Sequence, residues 1–259
     1  AASDVYKRQM HYARADLSVA AAFTTDPQIL KGPVTVRQMF SIYIYDNTLY
    51  AIEVTGQQIK DALEHSAKFY NTYDYGATNT RIVNPNIRGY NYDMLAGASY
   101  KIDISRPIGQ RIYDLTYKGQ PMDMNAKFRL AVNNYRVNGG GGYSMFKGAP
   151  VLYKSSDEIR NLMAEYVKMK GTIAPDVDNN WSLAPDYLFD ANKDKIDLLV
   201  RQGILNPNPH PVFYPTGKMI ASDYMVHLAR AFNLKPIEAG EDGRGGPNDW
   251  IEPRGLAKK

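Results

Sequence analysis

The chain has 259 residues, of which 44% are hydrophobic, a formal net charge of +4 and no cysteine. This length and composition allow one or two domains with a real core, and the lack of cysteine excludes disulfides and thiolate metal sites. No apolar run is long enough for a transmembrane helix, and lysines and arginines are mixed with acidic residues, which argues against a nucleic-acid polymer as partner.

Residues 1–9 are unusual because they can be encoded by a transposase adaptor that is used to prepare sequencing libraries. We therefore expect residues 1–9 to be an adaptor remnant, with the natural sequence present from residue 10 onward. On this hypothesis the chain is a fragment that lacks its N-terminal part. The lack of a signal peptide then says nothing about where the protein works.

The next segments predict short strands and helices. Residues 17–23 form a short apolar run typical of a buried strand. Residues 35–41 predict a short helix, and the inward side chains expected for it are Val36, Met39 and Phe40. Residues 42–45 and 49–54 predict a hairpin that turns at Asp46 and Asn47.

A capping-box pattern marks the start of a longer helix. Thr55 and Gln58 have the spacing at which each side chain bonds the other residue's backbone. The helix is predicted to run from Gly56 to about Phe69. Its inward face is expected to contain Ile59, Ala62, Leu63 and Ala67.

The middle of the chain predicts a loop followed by strands. Residues 70–98 are polar and rich in Tyr and Asn, and a loop of this length is usually functional or disordered. Residues 99–105 and 111–117 predict paired strands, and residues 127–135 predict the next strand.

A glycine run then follows the strand. Asn133, Asn134 and Tyr135 precede Gly139–Gly142. Glycines allow sharp turns and close approach of the backbone, and an aromatic ring beside two amides suits a planar polar ligand such as a nucleobase. The alternative is an ordinary turn with Tyr135 in the core. Neither a P-loop nor a dinucleotide fingerprint fits, since the required Lys-Ser/Thr and the required helix are missing.

The C-terminal third predicts a helix over 156–170, with Ser155 as its N-cap and Glu158 in the capping-box position. The mixture of strands and helices, without regular alternation, predicts an α+β fold. Residues 196–205 predict a further helix that ends at Gly203. Residues 190–194 resemble a calcium loop but lack the glycine and distal glutamate of an EF-hand, which favours a solvated linker or the start of a helix.

Residues 186–235 resemble a surface-layer-homology module. A helix, Phe213-Tyr214-Pro215 and a second predicted helix at 222–232 follow one another in the order found in that module. The resemblance implies cell-wall polysaccharide as a partner of the tail, and a purely structural helical hairpin is the alternative. Residues 236–259, rich in Gly, Pro and charge, predict a flexible tail.

Four segments together resemble one family: 14–23, 34–60, 90–104 and 133–143. In this order and spacing they are similar to the C-terminal domain of the bacterial 5′-nucleotidase family, and most similar to its 2′,3′-cyclic-nucleotide 2′-phosphodiesterase/3′-nucleotidase branch. The resemblance implies a layered α/β/β/α domain over residues 10–185, followed by a small helical tail module.

In that family an N-terminal metallophosphoesterase domain holds two divalent metal ions and performs the hydrolysis. The resemblance therefore implies that this chain is the non-catalytic C-terminal part of a phosphate-ester hydrolase, inactive alone and without a metal or cofactor of its own. The four histidines, His11, His65, His210 and His227, do not lie in the family's metal-binding motifs. We expect His65 to be an ordinary, partly exposed side chain on the predicted helix.

The resemblance also implies a nucleoside pocket in which two aromatic rings sandwich the base. It assigns Tyr135 as one ring and either Tyr90 or Tyr92 as the other. Asn91, Asn134 and the backbone of Gly139 and Gly140 are expected to frame the base or the ribose. Gly141 stands where the family often has an acidic residue.

The resemblance implies a nucleoside or nucleotide substrate, the missing N-terminal domain as a partner, and a secreted, periplasmic or cell-wall-associated location. The alternative function is a non-enzymatic surface protein, attached to the cell wall, that binds glycan.

Overall fold

The computed structural model describes residues 2–23, 29, 31–74, 81–173, 178–185, 193–202 and 204. The helices α1 to α6 span Ala2–Ala13, Val36–Ile42, Gly56–Ala67, Asn134–Val137, Ile159–Lys170 and Lys193–Arg201. The strands β1 to β9 span Leu17–Ala21, Thr48–Thr55, Asp93–Ala96, Ala98–Asp103, Ile112–Tyr117, Gln120–Pro121, Lys127–Asn133, Val151–Glu158 and Trp181–Ala184. None of the described helices is long and apolar enough to cross a membrane.

The larger sheet has five strands in the order β3-β1-β7-β2-β8. β1 and β7 pair in parallel and the other neighbours are antiparallel. Helix α5 contacts both α1 and α2, and α1 packs on β1 and β7. The main core lies between these helices and the sheet, and it contains Met39, Leu49, Ala131 and Leu162.

The smaller sheet has four strands in the order β6-β5-β4-β9. Helix α3 contacts β2 and β3 of the larger sheet and β5 of the smaller one. The buried carboxylate of Glu64 on α3 accepts hydrogen bonds from the backbone N–H groups of Arg111 (3.0 Å) and Ile112 (2.7 Å) at the start of β5. Two mixed sheets with separately packed helices confirm the predicted α+β class.

The predicted helix starts at Thr35 and Thr55 are confirmed. Both residues form complete capping boxes, with Gln38 and Gln58 respectively. All four side chains expected on the inward face of α3 are buried. Val36, by contrast, is 59% exposed, because as the first residue of α2 it faces away from the core that buries Met39.

Three predicted elements differ from the structure. Residues 42–45 do not form a strand: Ile42 ends α2, and the next residues lead directly into β2. Residues 151–158 form β8, which pairs with β2, so α5 begins only at Ile159. The Ser155 hydroxyl accepts a hydrogen bond from the Asp157 backbone within this strand, and it does not cap the helix. The loop predicted over 70–98 also contains β3.

The chain divides into two compact units. The first comprises Ala1–Tyr73 and Asn79–Ala184, and the second comprises Asp74–Thr78 and Pro185–Lys259. Helix α6 belongs to the second unit and overlaps the helix predicted at 196–205. The predicted helix at 222–232 and the tail 236–259 lie outside the described residues.

Candidate functional site

The glycine run turns back sharply after β7. The side chain of Asn133, the last residue of β7, accepts a 2.8 Å hydrogen bond from the Arg136 N–H and thereby caps the single turn of α4. Gly139 and Gly141 then adopt positive φ angles of 81° and 68°. Residues with a side chain rarely adopt this conformation. The run can therefore fold back along α4.

Tyr135 lies on the surface beside this run. Its side chain is 51% exposed. A β carbon added to Gly140 would lie 2.6 Å from three carbons of the Tyr135 ring, so only glycine lets the backbone approach the ring this closely. The alternative that places Tyr135 in the core does not hold.

Tyr90 and Tyr92 lie in very different surroundings. Tyr90, in a one-turn helix at Gly89–Asn91, is 41% exposed. Tyr92 is 7% exposed, and its ring stacks on Phe69 with the centroids 4.8 Å apart. The core already covers Tyr92, whereas the ring of Tyr90 is accessible to a ligand.

A third exposed ring belongs to Tyr45, which is 39% exposed. Tyr45 lies in the connection between α2 and β2, and its ring packs edge-on against Phe23. Just after this connection, the Thr48 N–H at the start of β2 donates a 3.2 Å hydrogen bond to Asn134 Oδ1 on α4. Sequence reasoning missed Tyr45 because the segment was assigned to a hairpin strand.

The two asparagines expected at the site differ in what they offer. Because Asn134 Oδ1 accepts from Thr48, the amide is oriented and its Nδ2 group remains as a donor. Asn91 Oδ1 is buried and has no hydrogen-bond partner. It faces the glycine run, since a β carbon on Gly141 would lie 2.6 Å from it.

A buried ion pair lies beneath these residues. Arg136 is 2% exposed and Asp93 is 3% exposed, and the guanidinium donates to both carboxylate oxygens at 2.8 and 2.9 Å. Burial by itself lowers the pKa of Arg136, but the hydrogen bonds and charge of Asp93 outweigh it and the pKa is raised. The guanidinium therefore remains charged. The sequence motif contains Arg136, but nothing in the motif indicates that the residue is buried.

His65 and Tyr143 hold the other side of the glycine run. His65 Nε2 lies 2.9 Å from the carbonyl oxygen of Gly141 and donates to it. The fully buried Tyr143 hydroxyl donates to the Asn91 carbonyl and accepts from the Asp93 N–H. Burial, and next the Asp93 charge, raise the pKa of Tyr143. His65 is thus part of the site's framework, a role that its position on an amphipathic helix did not indicate.

The described residues contain no group of three or more His, Asp or Glu side chains that could hold a metal ion. His11 is exposed on α1, and His210 and His227 lie outside the described residues. What the site presents is exposed aromatic rings, oriented amides and backbone carbonyls, a combination suited to a planar polar ligand.

Comparison with known proteins finds a match to the family model described as 5′-nucleotidase, C-terminal domain, over residues 2–148, more than half of the chain. The 2′,3′-cyclic-nucleotide 2′-phosphodiesterase/3′-nucleotidase of Salmonella typhimurium is 35% identical over 196 residues, covering 65% of this chain and 30% of that protein. The trifunctional nucleotide phosphoesterase protein YfkN of Bacillus subtilis is 32% identical over 167 residues, covering 60% of this chain and 11% of that protein.

The crystal structure of a putative 5′-nucleotidase from Staphylococcus aureus, in complex with α-ketoglutarate, superposes with a TM-score of 0.62 at 27% identity. The superposition covers 69% of this chain and 35% of that chain. A 5′-nucleotidase precursor from Thermus thermophilus has the same fold, with a TM-score of 0.57 and 22% identity, covering 71% of this chain and 35% of that one. The chain thus spans about a third or less of the length of these proteins.

Proposed function

The chain belongs to the family of 5′-nucleotidase C-terminal domains, and we propose that its residues 10–185 recognise the nucleoside of a nucleotide substrate. In this proposal the chain is the recognition part of a 2′,3′-cyclic-nucleotide 2′-phosphodiesterase or of a 3′- or 5′-nucleotidase. The relatives from Bacillus subtilis and Salmonella typhimurium are named as phosphoesterases, and both are much longer than this chain.

One observation carries the proposal: the half-exposed ring of Tyr135, supported by the backbone of Gly140. The exposed half of the ring is not covered by the protein, and a base stacked on it contributes about 1–3 kcal/mol of binding free energy. The close backbone contact restricts the ring's motion. A ligand therefore loses less free energy in ordering it.

The second wall of the pocket is an exposed ring on a segment bonded to α4. Tyr90 satisfies this condition, because its backbone carbonyl accepts a 2.7 Å hydrogen bond from Arg136. Tyr45 also satisfies it, through the bond between Thr48 and Asn134. Tyr92 is set aside as a stacking ring because Phe69 already covers it.

Polar groups beside Tyr135 give the pocket its directionality. Asn134 Nδ2 is a donor and suits an acceptor on the base or the ribose. The backbone of Gly139 and Gly140 lies along the same turn, and the aliphatic stem of Lys147 packs against Gly139. Asn91 Oδ1 faces Gly141, so we propose that Asn91 shapes the glycine run beneath the ligand.

Hydrolysis is proposed to need an N-terminal metallophosphoesterase domain with two divalent metal ions, which clamp the attacking and leaving oxygens. The chain by itself is then a binding part without turnover. A secreted, periplasmic or cell-wall location, and wall binding by residues 186–235, are part of the same proposal. An assay of the purified chain with 2′,3′-cyclic AMP and added Mn²⁺ tests whether the chain alone lacks turnover. Metal-dependent turnover would overturn that part of the proposal.

The binding claim is tested by calorimetric titration of the full chain with adenosine and 3′-AMP, beside a soluble cell-wall oligosaccharide. Saturable heat with the nucleoside ligands alone supports the proposal. Heat with the oligosaccharide alone would favour the glycan-binding alternative.

We propose that residues 1–9 are an adaptor remnant, although residues 2–9 contribute to α1 and Val5 is 4% exposed. Sequencing the source DNA across this junction tests the idea. Codons that differ from the adaptor would contradict it.

A further inference from the structure

Arg136 connects the 90–93 segment to the glycine run through one guanidinium group. Its Nε and Nη2 bond Asp93, which begins β3. Its Nη2 also donates to the Tyr90 carbonyl at 2.7 Å, and its Nη1 donates to the Gly140 carbonyl at 3.1 Å. Four of the five guanidinium N–H groups are thereby used within the protein.

The two carbonyls that Arg136 holds belong to residues that form the exposed surface of the site. Tyr90 carries an exposed ring, and Gly140 lies against the ring of Tyr135. The guanidinium also lies 5.4 Å from the Tyr135 ring centroid and 4.4 Å from that of Tyr143. A displacement of Arg136 therefore moves both sides of the site at once.

The geometry of these bonds requires arginine. A lysine presents a compact ammonium, which cannot reach Asp93, Tyr90 and Gly140 in the directions fixed by a planar guanidinium. Asp93 is needed in turn, because a buried guanidinium without its carboxylate is strongly destabilised. The pair therefore acts as one unit.

We propose that Arg136, held by Asp93, is a positioning residue for ligand binding. It fixes the position of the Tyr90 segment and holds the Gly140 backbone against the ring of Tyr135. This inference rests on the proposed function. Arg136 acts through these segments, and its own hydrogen-bonding capacity is largely used inside the protein. The affinity for the ligand then depends on a buried pair that does not itself contact the ligand.

The test compares Arg136→Lys with Arg111→Lys in the full chain. Arg111 is an equally buried arginine whose guanidinium donates to the carbonyls of Ala67 and Tyr70, at the end of α3. Both variants are expected to lose stability, because each removes the donor to two backbone carbonyls. Only Arg136→Lys is expected to weaken adenosine binding, by about tenfold or more.

A second readout does not require a ligand. In an NMR spectrum, the α protons of Gly140 carry a ring-current shift from Tyr135, because the backbone lies against that ring. Arg136→Lys is expected to move this shift and Arg111→Lys to leave it in place. If Arg136→Lys does not fold, Asp93→Asn replaces it, with the same expected direction.

Unchanged adenosine affinity in Arg136→Lys, or an equal loss in Arg111→Lys, overturns the positioning role. If the unchanged protein binds no nucleoside, the proposed function fails and the Gly140 shift still decides the positioning claim. A shift that stays constant in Arg136→Lys, or in Asp93→Asn where that variant replaces it, contradicts the claim on its own.

Discussion

The imidazole of His65 donates a 2.9 Å hydrogen bond from Nε2 to the carbonyl oxygen of Gly141, so α3 and the glycine run are joined directly. A β carbon on Gly142 would lie 2.7 Å from His65 Cε1, which shows how closely the run packs on the ring. Burial is the main cause that lowers the pKa of His65, and the Gly141 bond opposes it. The charges of Lys68 and Arg136 also lower the pKa, and that of Asp93 raises it.

We predict that the glycine run becomes less stable in mild acid. The folded-state pKa of His65 lies below its ordinary value of 6.5, so the unfolded chain binds the proton first as the pH falls. Stability therefore declines below about pH 6.5, and the decline is complete once the pH is below the folded-state pKa. Urea unfolding at several pH values measures this slope. His65→Gln should reduce the slope. Equal slopes in the parent and in His65→Gln would contradict the prediction.

Alanine variants of Tyr45, Tyr90 and Tyr92 are predicted to differ in their stability and in their affinity for adenosine. Tyr92→Ala should cost about 3–5 kcal/mol of unfolding free energy, because it opens a cavity beside Phe69. Tyr45→Ala and Tyr90→Ala, which truncate exposed rings, should change stability by less than about 1 kcal/mol. If Tyr45 or Tyr90 forms the second wall of the pocket, the variant that lacks that ring should bind adenosine more weakly than the parent. If neither variant binds more weakly than the parent, the two-ring pocket is wrong.

Gly141→Ala is predicted to destabilise the domain more than Gly148→Ala. Both glycines have positive φ, of 68° and 76°, so each substitution costs about 1–2 kcal/mol from backbone strain. At Gly148 the added methyl group meets open space, whereas at Gly141 it collides with Arg136 Nη1 and Asn91 Oδ1. Overpacking adds about 1–3 kcal/mol. Equal melting temperatures for the two variants would contradict the close packing around Gly141.

Glu64→Ala is predicted to loosen the junction between α3 and the smaller sheet. The substitution leaves the backbone N–H groups of Arg111 and Ile112 without an acceptor. Each buried, unsatisfied group costs about 1–3 kcal/mol. Glu64→Gln, which keeps one acceptor oxygen, should lose less, and Glu165→Ala on the exposed side of α5 should lose little. Chemical denaturation measures the three losses, and a loss for Glu64→Ala no larger than for Glu165→Ala would argue against this role.

Local patterns predicted the elements whose determinants are close together in sequence. The capping boxes at Thr35 and Thr55 each depend on residues three positions apart, and both helices begin as predicted. Strand pairing was harder to predict from the sequence. The predicted hairpin at 42–54 does not form because β2 pairs with β7 and β8, which lie about 80 to 100 residues further along the chain.

The site was predictable only in part for the same reason. Tyr135 and the glycine run are adjacent in sequence, so their proximity followed from the motif. The contacts of Arg136 with Tyr90 and Asp93, and of His65 with Gly141, span between 43 and 76 residues. They depend on how α3, β3 and α4 come together. The exposure of Tyr45 likewise depends on the true end of α2.

The central claim is that Tyr135 is the ring on which a nucleoside stacks, and calorimetric titration of the full chain and its Tyr135→Ala variant with adenosine tests it most directly. Tyr135 is 51% exposed, so the variant should keep its melting temperature. Tyr113→Ala, on β5 of the smaller sheet, serves as a control that removes a tyrosine ring outside the site. We predict binding by the parent and by Tyr113→Ala, and a loss of about 1–3 kcal/mol of binding free energy in Tyr135→Ala. Equal affinity in the parent and in Tyr135→Ala would contradict the account.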